Sequence, residues 1–399
     1  NSNALYDIGN NANDAIDMNK IGPELLKQPI NIIPYDSPRF DSDDVVALLE
    51  YLEEYGYVII KSVASKVEIE ISTNLLWNFL EKHFDMNRND PCTWTDSNFS
   101  KFGSCGNGIM HSQGINQSEY MWSLRNLEQV KHVFSHIYSD SDLITSFDGG
   151  NIFRPWHNEN IPDGEYMKTN SGWYHVDQGR LLRGRACFQS LVTLKDVNEH
   201  SGGFCVIPKS HKYHDELVDN HACGSMNFVK CPTDFHVLNQ QQILPRCYAG
   251  DMVIWDSRTI HANTPALPVD VPVADTNGTP TPLPISSNIP SNPNDKNDLL
   301  RIVGYICMTP TSLATKEMLT NRINIYERGL GTTHWPHNIA YNISSDNPME
   351  IKNPFDSDGD TSSSGDNDTD VNVANSAIGI STGQKELIAG KQYKQLNRS

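Results

Sequence analysis

Between Gly172 and Cys307 the chain is a succession of short apolar runs punctuated by Gly and Pro. Arg185–Leu194 and Leu299–Cys307 are long enough for buried strands. Phe204–Ile207 is stopped by Pro208, and Met252–Trp255 is opened by the turn signal Ala249-Gly250-Asp251. Helical text precedes these runs and does not alternate with them. That order disfavours a βαβ fold and favours a barrel or sandwich. The expectation is a mostly β, α+β protein with flanking helices around a double-stranded β-helix (jelly-roll) core.

Apolar spacing supplies the helices. One is capped by Asp41 or Ser42 and runs to Tyr55, where Gly56 ends it; the buried strand Tyr57–Ile60 follows. Ser65 to about His83 is a second helix, and Glu119 to about Tyr138 a third. Phe147–Arg154 reads as a hairpin turn leading into a strand, Thr315–Arg328 as helical, and Glu386–Ala389 as a short terminal helix. Asn87–Gly108 is a turn-rich aromatic loop, of a length that compact domains keep for a purpose such as lining a pocket.

The organisation read from this is a polar N-terminal extension over 1–35 and a single domain over 36–345. A Pro- and Asn-rich insertion at 267–299 interrupts that domain. An acidic low-complexity stretch over 346–380 and a C-terminal helix and tail over 381–399 complete the chain. Neither insert has enough apolar residues to fold alone. Asp356–Asp360 imitates the start of a calcium loop, but Gly359 stands at its fourth position where the sixth is required.

Charge narrows the partners. The net charge of −18 comes with no basic stripe, which argues against nucleic acid. Much of it is local, since Lys352 is the only basic residue between Ser345 and Asp370. No apolar run approaches the roughly 18 residues of a membrane span. The eight cysteines are scattered without a Cys-x-x-Cys pair, as expected of a reducing, cytoplasmic setting and not of a disulfide frame. The chain opens on Asn-Ser-Asn-Ala, without Met, as a trimmed chain would.

The chemistry sits in Gly172-Trp-Tyr-His-Val-Asp177. On an extended strand His175 and Asp177 project to one face. A third donor, His261, is delivered at the end of the strand that begins after Asp251. Two His and one carboxylate make the facial triad of non-haem Fe(II) oxygenases. The same set also serves zinc hydrolases, and a hydrogen-bonded His–Asp pair can simply be core.

The ordered set resembles the phytanoyl-CoA dioxygenase family: His175-x-Asp177, then Gly202-Gly203 through Pro208 to Ser210-His211, then Trp255-Asp-Ser-Arg-Thr-Ile-His261, then Arg301. The resemblance implies a jelly-roll oxygenase using Fe(II), 2-oxoglutarate and O2, with His175, Asp177 and His261 as catalytic iron ligands. It implies Arg301 as the guanidinium fork on the distal carboxylate of 2-oxoglutarate. Asn263, two past the last His, is carried over as a co-substrate neighbour, and Gln189 is placed by strand alternation towards the pocket. In the family about a dozen residues separate the last His from this Arg, whereas here 40 do. Arg258 lies too near His261 to substitute.

The implied reaction is hydroxylation, or another oxidation, of a C–H bond in a small organic substrate, releasing succinate and CO2. Asp177 disfavours halogenation, which needs that iron position vacant. A CoA ester would call for a basic entrance that the chain does not announce. The competing readings are a non-catalytic jelly-roll binding module and a zinc hydrolase. Of the remaining polar and aromatic residues, His211 reads as a brace, Trp173 and Tyr174 as core, and His334-Trp335 as a pocket edge. Met110, His111 and Arg125 belong to the segment that precedes the barrel.

Overall fold

The computed structural model describes residues 32–156, 158, 164–220, 228–266, 273–274, 280–281, 298–338 and 382–392. Most of the extension, of the Pro-rich insertion and of the acidic stretch with its calcium-like Asp356–Asp360 lies outside the described residues.

In chain order the strands are β1 (Ile32–Tyr35), β2 (Arg39–Phe40), β3 (Tyr57–Ile60), β4 (Gly103–Ser104), β5 (Ile109–Met110), β6 (Leu143–Thr145), β7 (Gly150–Phe153), β8 (His175–Val176), β9 (Phe188–Thr193), β10 (Gly203–Val206), β11 (Val229–Lys230), β12 (Gln242–Pro245), β13 (Met252–Asp256), β14 (His261–Thr264), β15 (Val273–Ala274), β16 (Pro280–Thr281), β17 (Arg301–Ile306) and β18 (Met308–Pro310). The α-helices are α1 (Val45–Tyr55), α2 (Lys66–Phe84), α3 (Asp96–Phe99), α4 (Glu119–Arg125), α5 (Glu128–Tyr138), α6 (His214–Asn220), α7 (Lys316–Glu327) and α8 (Thr382–Ala389).

Two sheets dominate. The larger runs β2-β3-β13-β9-β17-β7-β5-β4, and the smaller β1-β12-β10-β14-β8-β11. Alternation along the larger sheet's strands sorts side chains between two cores. Val58, Ile60, Met252, Ile254 and Ile302 pack with Leu48, Leu76 and Leu80 of the helices. Tyr57, Ile59, Val253, Trp255 and Val303 pack instead with Val176, Phe204, Val206 and Leu244 of the smaller sheet. The order is therefore helices, large sheet, small sheet. Each fully buried Val, Ile or Leu contributes roughly 1.5–3 kcal/mol to holding the layers together. The inward set of β17 includes Arg301 and Tyr305, and that of β9 includes Gln189, because both share the parity of Val303 and Leu191.

Local signals explain the ends of the elements. Ser65 and Glu68 close a reciprocal capping box at the start of α2. Gly56 ends α1 in the left-handed region (φ 78°), where a Cβ would lie 2.4 Å from His211 Nδ1.

Several expectations are corrected. Helix α1 starts after Asp44, and its N-cap makes no side-chain hydrogen bond. Ser42 instead donates to Gln129, tying the entry of α1 to α5. The third helix is two, broken at Asn126-Leu127, where the Asn126 amide caps the Trp122 carbonyl. Gly149-Gly150 is no hairpin: β6 pairs with β18, and β7 with β17 and β5. These glycines serve close strand approach, since a Cβ at Gly149 would lie 1.8 Å from the Met110 carbonyl oxygen. The extension read over 1–35 loses its last residues to the small sheet, because Ile32–Tyr35 pairs in parallel with Gln242–Pro245 and buries Ile32.

Candidate active site

His175 and His261 face each other as cross-strand partners of β8 and β14, with ring centroids 4.3 Å apart. Asp177 follows β8 directly and is pinned by its N–H, which donates to the Ser257 carbonyl at 2.9 Å. One ligand atom from each of the three lies within 4.8 Å of the others. The Nδ1 atoms are spoken for: His175 donates to the Trp173 carbonyl at 3.2 Å and His261 to the Thr259 carbonyl at 2.9 Å. A carbonyl only accepts, so each Nδ1 carries the proton and each Nε2 offers a lone pair to the centre. Those Nε2 atoms stand 3.5 and 3.2 Å from the Asp177 oxygens.

Electrostatics keep the donors in metal-binding form. Burial works to raise the Asp177 carboxyl, yet His175 and His261 hold it well below the usual carboxylate range. Burial, and then the neighbouring His175, lowers His261. The His175 ring is clamped between Trp173 (4.9 Å, 12°) and Phe228 (4.6 Å, 25°).

The Gly-Gly to Ser-His motif supports this centre. Ser210 Oγ accepts from the Ile260 N–H at 2.8 Å, setting the strand that delivers His261. His211 braces the Glu53 carbonyl at 3.0 Å, as expected of it. Gly203 (φ 153°) makes room for Arg301, whose Nη1 would lie 2.7 Å from a Cβ there.

Arg301 is 1% exposed. Its Nε donates to Asn151 Oδ1 at 3.2 Å, but among the described residues neither Nη1 nor Nη2 meets a partner at good hydrogen-bond geometry, the Tyr305 phenol being only a weak one. The Tyr305 phenol lies beside them, and burial pulls the guanidinium below its ordinary pKa. Two buried, unpartnered N–H donor groups on a cation are costly unless an anion meets them. Arg258 is paired with Asp256, two residues before it, at 2.7 Å.

Between the sheets opens a cavity of about 380 Å³, lined by the three donors together with Gln189, Asn263, Tyr305, His334, Trp173, Phe204, Phe228, Trp255, Ile109, Asn107, Ser104, His111 and Asp148 among others. Gln189 donates to Asp177 Oδ2 at 3.0 Å, and Asn263 is bonded to Tyr305. His334, read as a pocket edge, lies in the wall and donates to the Asp177 carbonyl at 3.1 Å. Ser104 and Asn107 come from the Asn87–Gly108 segment, which was expected as a loop but contains α3 and β4, and which Arg154 anchors through Trp94 and Asp96.

Trp173 and Tyr174 are both buried in the core between the sheets, as expected, but Trp173 also walls the cavity, whereas Tyr174 points away, with its hydroxyl on Gln242. Of the residues before the barrel, His111 reaches the cavity. Met110 is core, and Arg125 is buried on the carbonyls of Asn116 and Asp148. Sequence reading missed Asp148, Phe228 and Tyr305. Strand parity with Arg301 could have found Tyr305, but the other two sit where no periodicity operates.

Residues 52–266 match the phytanoyl-CoA dioxygenase (PhyH) family profile. Ava biosynthesis cluster protein O of Aspergillus versicolor is 24% identical over 306 residues, covering 71% of this chain and 83% of that protein. A putative phytanoyl-CoA dioxygenase of Dictyostelium discoideum is 24% identical over 249 residues, covering 54% and 69%. Among solved structures, the epimerase SnoN in complex with Fe3+, alpha ketoglutarate and nogalamycin RO is 14% identical, with a TM-score of 0.39 over 67% of this chain and 84% of that one. The carbocyclase SnoK is also 14% identical, with a TM-score of 0.39 over 69% and 88%. The chain belongs to the phytanoyl-CoA dioxygenase family, and so to the 2-oxoglutarate-dependent non-haem iron oxygenases.

Proposed function

We propose that this oxygenase hydroxylates, or otherwise oxidises, a C–H bond of a small organic molecule, with His175, Asp177 and His261 holding Fe(II) and Arg301 holding the far carboxylate of 2-oxoglutarate. The observation that carries the reading is the pairing of a two-His-one-carboxylate cluster with a buried guanidinium whose Nη atoms lack partners. A zinc hydrolase or a structural metal site has no use for that second feature.

When bound, Fe(II) and 2-oxoglutarate would, with O2, supply the oxidant for a C–H bond, one oxygen atom going to succinate as CO2 leaves and the other to the substrate. The chain's part is placement. Arg301 Nη1 lies by Gly203, three residues along β10 from Val206, which pairs with His261. At about 3.3 Å per residue this separates guanidinium and iron ligands by roughly 10 Å, a span suited to a five-carbon dicarboxylate chelated at one end.

Tyr305 and Asn263 line the path between. We assign Gln189 to orienting Asp177 and not to the co-substrate: its N–H must point at the carboxylate, so the oxygen left over is an acceptor that an anion would avoid. Trp173 and Phe228 fix His175 and keep water from it.

The small-molecule reading is supported by the cavity's size, about 380 Å³. The biosynthesis-cluster relative fits the same reading. Anaerobic addition of Fe(II) and 2-oxoglutarate should give the weak visible charge-transfer band of the chelate in wild type, and Arg301→Ala should need far more 2-oxoglutarate to reach it. Iron bound without a band would overturn the reading.

A further inference from the structure

Asp148 is a second carboxylate in the cavity, outside the metal cluster. Oδ1 accepts from the Gly149 N–H at 2.7 Å. Oδ2 has no hydrogen-bond partner among the described residues, and the residue is half-buried and lines the cavity. Arg125, buried nearby, does not neutralise it by contact. Its Nη groups go to the backbone carbonyls of Asn116 and Asp148, at 2.7 and 2.6 Å, and none reaches the carboxylate. Among the described residues no Lys or Arg is found in the lining, and burial lowers the pKa of His111, so it offers no resident cation.

The charges of the centre make this informative. A divalent ion, Asp177, a 2-oxoglutarate dianion and Arg301 together carry no net charge. Asp148 is then left over, offset only through space by Arg125, in a cavity whose apolar walls are Trp173, Phe204, Phe228, Trp255 and Ile109. A carboxylate beside aromatic faces is the pairing that receives an organic cation, through a charge-assisted hydrogen bond and ring quadrupoles. An anionic or phosphorylated substrate would be repelled by it.

We propose that Asp148 is the specificity-determining residue of the oxygenase, and that its substrate is an apolar or aromatic molecule presenting a protonated nitrogen to Asp148 Oδ2. The proposal rests on the oxygenase reading for its reaction and on the cavity alone for its chemistry. Raised by burial to about 7, the carboxyl is held ready to ionise fully when a cation arrives.

The test is calorimetric titration with two probes of one shape, 3-phenylpropylamine and 3-phenylpropan-1-ol. Protein anaerobically loaded with Fe(II) and 2-oxoglutarate is used, and then the metal-free chain. The amine should bind wild type roughly ten- to a hundredfold more tightly than the alcohol, the range of a hydrogen bond to a charged group. In Asp148→Asn, which can keep the Gly149 contact, the preference should fall to within about threefold while alcohol binding is unchanged; Asp148→Ser serves if the Asn variant does not fold. Equal binding of the two probes, no binding at millimolar concentration, or a preference that survives in the variants would overturn the proposal. A missing charge-transfer band with the amine preference intact would instead strike the oxygenase reading alone.

Discussion

Arg301→Met separates a ligand role from a structural one. In the metal-free protein the guanidinium is buried, with one hydrogen bond to Asn151 and a face-on contact with Phe153 at 5.4 Å. Met fills a similar volume without charge. Removing the cation relieves its desolvation, while leaving Asn151 Oδ1 unpaired costs about 1–3 kcal/mol. The terms oppose, so metal-free stability should change by no more than about 2 kcal/mol, a Tm shift below roughly 8 °C.

Binding of 2-oxoglutarate has no such compensation. Two charge-assisted hydrogen bonds from Nη1 and Nη2, at roughly 1.5–3 kcal/mol each, are lost. The net loss of about 3–5 kcal/mol weakens Kd by roughly a hundred- to three-thousandfold. The assay is anaerobic titration of the charge-transfer band, with Tm measured in parallel with and without 2-oxoglutarate. A Kd within threefold of wild type would refute the clamp. A collapse of the metal-free protein would show Arg301 to be a structural keystone.

Other outcomes follow from the same contacts. Asp177→Asn should reduce Fe(II) affinity by at least about a hundredfold while leaving the fold intact, read by metal analysis after dialysis. Asp148 titrates near 7 in the folded state against roughly 3.9 unfolded. Its folded pKa is thus raised, so the stability it permits is complete below pH ~4 and lost as pH climbs through 7. Denaturant curves of Asp148→Asn should be flatter over that window and about 1–3 kcal/mol more stable at pH 8, after discounting for partial exposure. Arg322 donates to the carbonyls of Ile388 (2.6 Å), Pro336 (2.9 Å) and Thr145 (2.5 Å). Arg322→Ala should cost roughly 3–5 kcal/mol and expose α8 to limited proteolysis before the barrel is cut; equal protection in both proteins would count against this.

The amino-acid order alone determined the layer that carries the chemistry. Gly- and Pro-bounded apolar runs specify strands, period-two alternation puts His175 with Asp177 and Arg301 with Tyr305, and Ser65 with Glu68 announces a helix start. These signals are local, acting over a few residues, which is why they can be read without coordinates. The break at Asn126, the pairing of Ile32–Tyr35 with β12 and the strand contact at Gly149 could not be read, because each depends on what another part of the chain brings alongside. The same holds for the site. That Trp173 is a wall and Tyr174 is not depends on which ring stacks against His175. That Arg301, 40 residues beyond His261, is left with open donors depends on Gly203 yielding the space. Asp148 carries no periodicity and no motif. Only the packing of two sheets around the cavity it lines, with one oxygen left unmet, makes an ordinary loop aspartate a candidate for selecting what enters.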